Sequence, residues 1–294
     1  MSIFSKFKNR DRKHRKSYGG SRAGAFFLFL VLILLGVFMI FPIYLSVIQS
    51  IKPPQELFEF PPKLYAVNPT DQNYTDMMKL VGSQWVPFSR YAFNSVVIAV
   101  SVTVLQLVFA SSAAYALAKV KFPGVKFFNK LITLALLFTS QVLFIMQYLV
   151  MASLNLIDTL AAVILPAIST AMGLFLMIQF MGQIHDAMIE AAKLDGASHI
   201  RICWQIVMPN VKPAWLTLMI FAFQGAWQIN GYAFIYSEQL KPIPAVLQQI
   251  ATEVIKRAGV AAATVVIMMV PPIVLFLIAQ SNIIETMAQS GIKD

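Results

Sequence analysis

The chain has 294 residues, of which 58% are hydrophobic and only 12% charged, with a mean hydropathy of +0.71. That balance excludes an ordinary soluble globular protein and indicates one polytopic membrane domain. The formal net charge of +10 does not make it a nucleic-acid binder: eight basic residues fall in the first 24 positions and four between Lys119 and Lys130, beside long apolar runs and without an aromatic-interleaved basic module.

Residues 1–24 read as a basic cytoplasmic tail, whose Lys6–Arg22 stretch suits anionic lipid headgroups. The apolar run Ala25–Ile51 is too long for a signal-peptide core and lacks a small-x-small cleavage site, so it reads as a retained first transmembrane helix. Residues 52–90 are rich in proline and predict an ordered, non-helical extracellular cap. Residues 91–284 then form the transmembrane core. Its apolar stretches run near Tyr91–Ala118, Leu131–Ala152, Leu160–Phe180, Ala214–Phe234 and Ala258–Gln280, each about the 20 residues a bilayer requires. The expected fold class is therefore all-α, with six transmembrane helices in total.

Lysine and arginine positions place the N-terminal tail, the Lys119–Lys130 loop, a loop over 182–213 and the tail 285–294 on the cytoplasmic side. Ile235–Arg257 is then extracellular, with Val246, Ile250 and Val254 spaced for a short amphipathic helix. Small residues at spacing four (Ala110, Ala114 and Ala118; Ala258 and Ala262; Gly259 and Ala263) predict close helix packing.

None of the six stretches contains Asp, Glu, Lys, Arg or His. Ion-coupled transporters usually require such residues as relays, although Na⁺ coupling through carbonyls and hydroxyls remains compatible with this composition. The sequence also lacks G-x-x-x-x-G-K-[ST], and no constellation at bilayer depth supports catalysis, so the chain is not read as an enzyme. Its three histidines are scattered and its one cysteine, Cys203, has no partner, so neither a metal nor a cofactor is expected on this chain.

The cytoplasmic loop 182–213 carries the most information. Asp186 is placed to cap a helix from Ala187, Gly196 to end it in the left-handed conformation, and Ser198 to cap a second helix that runs through Val207 and stops at Pro209. Glu190 lies one turn into the first helix, while Ala191 and Ala192 keep its surface low. Such a surface admits a partner closely, and Glu190 offers it a charge.

Glu190, Ala191, Ala192, Gly196, Ile206 and Pro209 fall in the register Glu-Ala-Ala, three residues, Gly, nine residues, Ile-x-Leu-Pro, with Met208 in place of the Leu and with Asp195 and Ala197 completing D-G-A-S. This resembles the EAA loop of binding-protein-dependent ABC importers, where the membrane subunit docks on its ATPase. Tyr91-Ala92-Phe93-Asn94-Ser95, the run Ala113–Ala118 followed by Phe122-Pro123-Gly124, and the terminal Ser290-Gly291-Ile292-Lys293 resemble the MalG-like permeases of carbohydrate importers. The likeness covers roughly residues 25–294. It departs after Trp227, where Gln228 follows and the usual Pro-Leu is absent, and at Gln280-Ser281-Asn282, which leaves the particular sugar open.

The resemblance implies a type I importer (MetI-like) permease fold in a bacterial plasma membrane. The implied partners are a second homologous permease, two ATPase subunits that use ATP and Mg, an extracellular solute-binding protein, an oligosaccharide and membrane lipid, with no nucleic acid. It further implies that closure of the ATPases moves the coupling helices and turns the cavity outward, and that Ile235–Arg257 reaches into the binding protein. Candidate substrate contacts are Gln224, Trp227 and Gln228 on one face of the fifth stretch, Tyr232 at its edge, and Gln141 and Tyr148 in the third; amides and aromatic faces suit sugars. Packing between helices explains the same residues, and a cargo of glycerol phosphate or polyamine stays open.

Overall fold

The structure, a computed structural model, describes residues 22–82, 86–138, 140–253 and 258–290, with the side chains of 22–23, 81, 140–141, 250–253 and 281–290 outside that description. The basic tail up to residue 21, Val254 and Gly291-Ile292-Lys293 therefore lie outside the described residues. Every regular element among the described residues is helical. In chain order these are α1 (Arg22–Ser50), α2 (Pro54–Leu57), α3 (Gln72–Gly82), α4 (Phe88–Lys119), α5 (Val125–Ala135), α6 (Ser140–Ser153), α7 (Leu160–Ile168), α8 (Ala171–Gly182), α9 (Asp186–Leu194), α10 (His199–Arg201), α11 (Met208–Asn210), α12 (Lys212–Trp227), α13 (Ile243–Glu253) and α14 (Ala258–Ser290).

The centre is α4. Its residues Ile98, Val102, Gln106, Ala110 and Ala114 recur every fourth position and are all buried, so one stripe of the helix faces the bundle while Val96, Val100, Val104 and Phe109 stay exposed. Helices α7, α8 and α12 pack on it, and α14 packs on α12 and α1. Helix α1 is apolar all round and its central window is unburied, as expected of a helix whose surroundings are lipid.

Four helical runs are long and apolar enough to cross a membrane: Gly24–Ser50, Phe88–Lys119, Leu160–Gly182 and Ala258–Gln280. The other two expected spans differ. Leu131–Ala152 is not one helix: after Ala135 the chain tightens, with Leu137 N–H donating to Leu134 O at 3.0 Å and Phe138 N–H to Ala135 O at 3.2 Å, and α6 starts afresh at Ser140. Ala214–Phe234 is helical only to Trp227, and α12 has 16 residues, about 24 Å of rise against an apolar layer of about 30 Å. The remaining residues form an irregular turn that is half-buried apart from exposed Gln228 and buried Gly231. Gly231 sits there at φ +66°, and an added Cβ would lie 3.3 Å from Val163.

The 52–90 cap also corrects the sequence reading, since it contains α3. No proline falls between Pro69 and Pro87, and in that gap α3 folds onto the bundle through buried Met77, while Asn73 Nδ2 donates to Ser50 O (2.8 Å) and Lys52 O (2.7 Å). The short helix expected around Val246 is present as α13, with Val246 buried against Met77 and Tyr91.

Asp158 pins the link before α7 to the turn after α12. It stands at φ +63°, and its carboxylate accepts from Tyr236 N–H (2.9 Å), Ser237 N–H (2.8 Å) and the Ser237 hydroxyl. These bonds, the Ser237 hydroxyl foremost, hold its pKa below the ordinary carboxylate value. A depressed folded-state pKa contributes stability above the unfolded-state value, about 3.9, and that contribution is lost as pH falls through the folded one. Protection of amides 231–237, relative to their intrinsic exchange rate at each pH, should therefore fall only below about pH 4 in the wild type, and be weak at all pH values in Asp158→Ala. Equal protection of the two proteins at neutral pH would refute this.

Candidate functional site

The loop 182–213 folds as two short helices around a glycine turn. Helix α9 begins one residue earlier than expected, at Asp186, with His185 at the capping position and no side-chain cap. The Asp186 carboxylate does not cap. Instead it accepts from the Lys119 ammonium at 2.8 Å, which holds its pKa below the usual range. At the other end, Gly196 takes φ +77°, its N–H donates to Lys193 O (3.0 Å) and the Ala197 N–H to Ala192 O (3.0 Å), the paired bonds of a Schellman ending. Ser198 Oγ then accepts from Arg201 N–H at 3.4 Å and starts the second helix.

That second helix does not stop at Pro209. It widens to π geometry over Ile202–Val207 and continues as α11 through Pro209 to Asn210, before an 89° bend into α12. A proline ring in a regular helix collides with the carbonyl four residues back, and the wider turn ahead of Pro209 relieves that collision. Asn210 Nδ2 donates to Ile206 O at 2.7 Å and satisfies one carbonyl of the distorted stretch.

The two halves of the loop present different faces. Ile189, Ala192, Ile202, Cys203, Val207 and Met208 are buried against Tyr115, Met177, Met181 and Leu218. Ala192 thus belongs to the core, which corrects the expectation that both alanines form the outer surface. Burial also pushes the Cys203 thiol pKa up, so it packs as a small apolar group. Glu190, Ala191, Asp195, Gly196 and Pro209 are exposed, Ala197 and Ile206 are half-buried, and the turn is flanked by Leu194 at 90% and Ile200 at 76% exposure. Two large apolar side chains so exposed on one ordered turn mark a surface that seats on something. Leu194 and Ile200 were not singled out from the sequence; their signal there is an apolar residue on either side of the D-G-A-S turn.

Two residues of α4, one turn apart, hold the loop. The Lys119 side chain is 5% exposed, and besides Asp186 its ammonium donates to Gly182 O (3.3 Å) and Ile184 O. Tyr115 OH and His199 Nδ1 lie 3.1 Å apart. Each half of the loop is thereby tied to the same helix end. Tyr115 was visible in the sequence only as part of a motif, and Lys119 only as a loop charge.

The substrate candidates are not gathered in one place. Trp227 is 5% exposed, its ring stacks on Phe223 at 5.8 Å, and its Nε1–H donates to Met268 O at 3.1 Å, so the indole is committed to helix packing. Tyr232 OH donates to Ala245 O. Tyr148 lies 3.3 Å from Tyr236 through the hydroxyls and packs near Phe234, and the side chain of Gln141 lies outside the described residues. Gln224 is half-buried and Gln228 exposed. Beside them, Phe221 and Gly225 line a cleft of about 330 Å³ whose polar groups are Gln106 and Thr170, the Gln106 amide donating to the Thr170 hydroxyl.

Comparison with known proteins agrees with this architecture. Residues 106–289 match the family of binding-protein-dependent transport system inner membrane components. The sn-glycerol-3-phosphate transport system permease protein UgpE of Yersinia enterocolitica is 31% identical over 199 residues, covering 67% of this chain and 71% of that protein. The arabinooligosaccharides transport system permease protein AraQ of Halalkalibacterium halodurans is 26% identical over 264 residues, covering 86% and 91%. A solved structure of a bacterial ABC transporter involved in import of the acidic polysaccharide alginate superposes with a TM-score of 0.73 at 22% identity, covering 90% of this chain and 98% of that one, and so shares the fold. With a helical bundle of the same fold, a family match over most of its core and a relative at 31% identity, the chain belongs to the binding-protein-dependent transport system inner membrane components and is a multi-pass permease of an ABC importer.

Proposed function

We propose that the chain forms half of the translocation pathway of an ATP-driven importer for a sugar or oligosaccharide, and that it couples to a separate ATPase through the loop 182–213. The observation that carries this reading is the loop itself: an exposed Leu194–Ile200 turn with Glu190 and Ala191 beside it, buttressed from behind by Lys119 and Tyr115. A convex apolar turn on a rigid support fits a groove on a partner, and Glu190 supplies a charge for a basic group there. The partners in this reading are a second homologous permease, two ATPase subunits binding ATP and Mg, and a solute-binding protein; this chain binds no cofactor. The loop and both termini face the cytoplasm, and Gln224 and Gln228 face the cargo.

A neutral sugar is favoured because the six apolar stretches carry no cation for an anionic cargo. The second reading, a glycerol phosphate, draws on the 31% identity to UgpE.

The test is gentle solubilisation of the tagged chain from its native host, followed by mass spectrometry of what co-purifies. A P-loop ATPase with a second permease of this family is the expected result; a chain that emerges alone or as a homo-oligomer would overturn the reading. Calorimetry of the co-purified binding protein with neutral oligosaccharides and with sn-glycerol-3-phosphate then separates the two cargoes.

A further inference from the structure

Helix α4 is bonded through side chains at both ends, to the loop 182–213 at one and to the 238–243 segment at the other. At one end Tyr115 and Lys119 of α4 hold His199 and Asp186 of the loop. At the other, Tyr91 OH donates to Glu238 Oε1 (3.1 Å), and Asn94 Nδ2 donates to Gln239 O (2.8 Å) and Lys241 O (3.0 Å). Ser95 Oγ accepts from Ile243 N–H at 2.8 Å, and Arg90 Nε donates to Gln239 O at 3.2 Å. Nearly every outer bond ends on the 238–243 segment, and the Asn94 and Ser95 side chains that make them are buried.

Between the grips α4 lacks the usual sites of a sharp kink, although the Thr103 hydroxyl donates back to Ala99 O at 2.6 Å. Its 32 residues contain neither proline nor glycine, whereas α1 carries Pro42 and α14 carries Pro271 and Pro272, the usual sites of helix kinks. The run α7–α8 is interrupted at Ser169–Thr170, and α12 is half as long as α4. From Asn94 to Tyr115 the helix rises about 32 Å. Helix α4 is thus a single run bonded through side chains at each end. The outer grip is also incomplete: Asn94 Oδ1 is buried with no hydrogen-bond partner among the described residues.

We propose that α4 is the rigid strut that carries displacement between the coupling loop and the 231–247 segment, with Tyr115 and Lys119 as positioning residues at one end and Tyr91, Asn94 and Ser95 at the other. The inference rests on the coupling-loop reading above. A helix bonded to both segments cannot shift against one without loading the other, whereas packing contacts alone permit sliding.

The experiment is hydrogen exchange on the intact complex purified through this chain, with and without Mg–AMP-PNP. In the wild type, nucleotide should change protection both at 186–201 and at 231–247. In Tyr115→Phe with Lys119→Met, and separately in Tyr91→Phe with Ser95→Ala, the change at 231–247 should fall by at least half while that at 186–201 persists. Tyr115→Phe alone, which removes one hydroxyl, should give a smaller loss in the same direction. An undiminished response at 231–247 in either pair, or none there in the wild type while 186–201 responds, overturns the strut and leaves the coupling loop standing. No response at 186–201 in the wild type would overturn the coupling-loop reading and the strut with it.

Discussion

Replacing Glu190 by lysine is expected to leave the chain folded and inserted while lowering transport-linked ATP hydrolysis in the complex by about 10- to 100-fold. Glu190 is exposed on α9 and makes no structural contact on which the bundle depends, so the folding cost should stay within about 0.5 kcal/mol, as for other surface changes. The functional cost comes from placing a cation where an interface expects an anion; close charge pairs at interfaces couple by about 1.5–7 kcal/mol, and 1.4 kcal/mol already corresponds to a factor of ten. Gly196→Val should act at the same site by another route. No atom lies within 4 Å of an added Cβ, so the penalty is purely that of holding a branched residue at φ +77°, about 1–2 kcal/mol or more, and it falls on the Schellman bonds that set the angle between α9 and α10. Measuring ATPase activity and uptake of the two variants in proteoliposomes checks both. If each imports at the wild-type rate, loop 182–213 is not the coupling element.

Gly173→Leu is expected to lower the stability and the membrane yield of the protein. An added Cβ alone would lie 2.7 Å from Gln106 Nε2, 2.7 Å from Leu218 Cδ1 and 2.8 Å from Thr170 Oγ1, where α4, α8 and α12 meet. Overpacking a tight core typically costs about 1–3 kcal/mol, and a full leucine here adds three more carbons to the collision. Gly225→Ala is the matched control: no atom lies within 4 Å of its Cβ, and alanine should stabilise the helix by about 1 kcal/mol. Thermal midpoints and membrane yield should therefore move in opposite directions for the two variants. A thermal midpoint for Gly173→Leu equal to or above that of Gly225→Ala would contradict close packing of α4, α8 and α12 at Gly173.

Much of the architecture was legible in the chain. Hydropathy located α1, α4, α7–α8 and α14 within a few residues, because a helix crossing lipid must be apolar along its whole length, and that is a one-dimensional property. The glycine turn and the Ser198 cap were legible for a similar reason: a left-handed φ and an N-cap are each satisfied within four or five residues. Pro209 misled, since proline stops a regular helix, but the preceding turn can widen to make room for it. Trp227 and Gln224 share a helical face with Gln228 in projection, yet only packing shows that the indole is turned to Met268 and engaged there.

The sequence by itself determined an all-helical membrane chain, its long spans, and a helix–glycine–helix loop of the importer type. All of these depend on composition, on local backbone preference or on short spaced motifs. Only the tertiary structure decided that Ala192 faces inward while Leu194 and Ile200 face outward, that Lys119 reaches Asp186 across 67 residues of chain, and that the end of α4 bearing Asn94 meets Lys241, 147 residues away. The reason is physical: a long-range hydrogen bond depends on where two distant backbones come to lie, and the packing of whole helices settles that position.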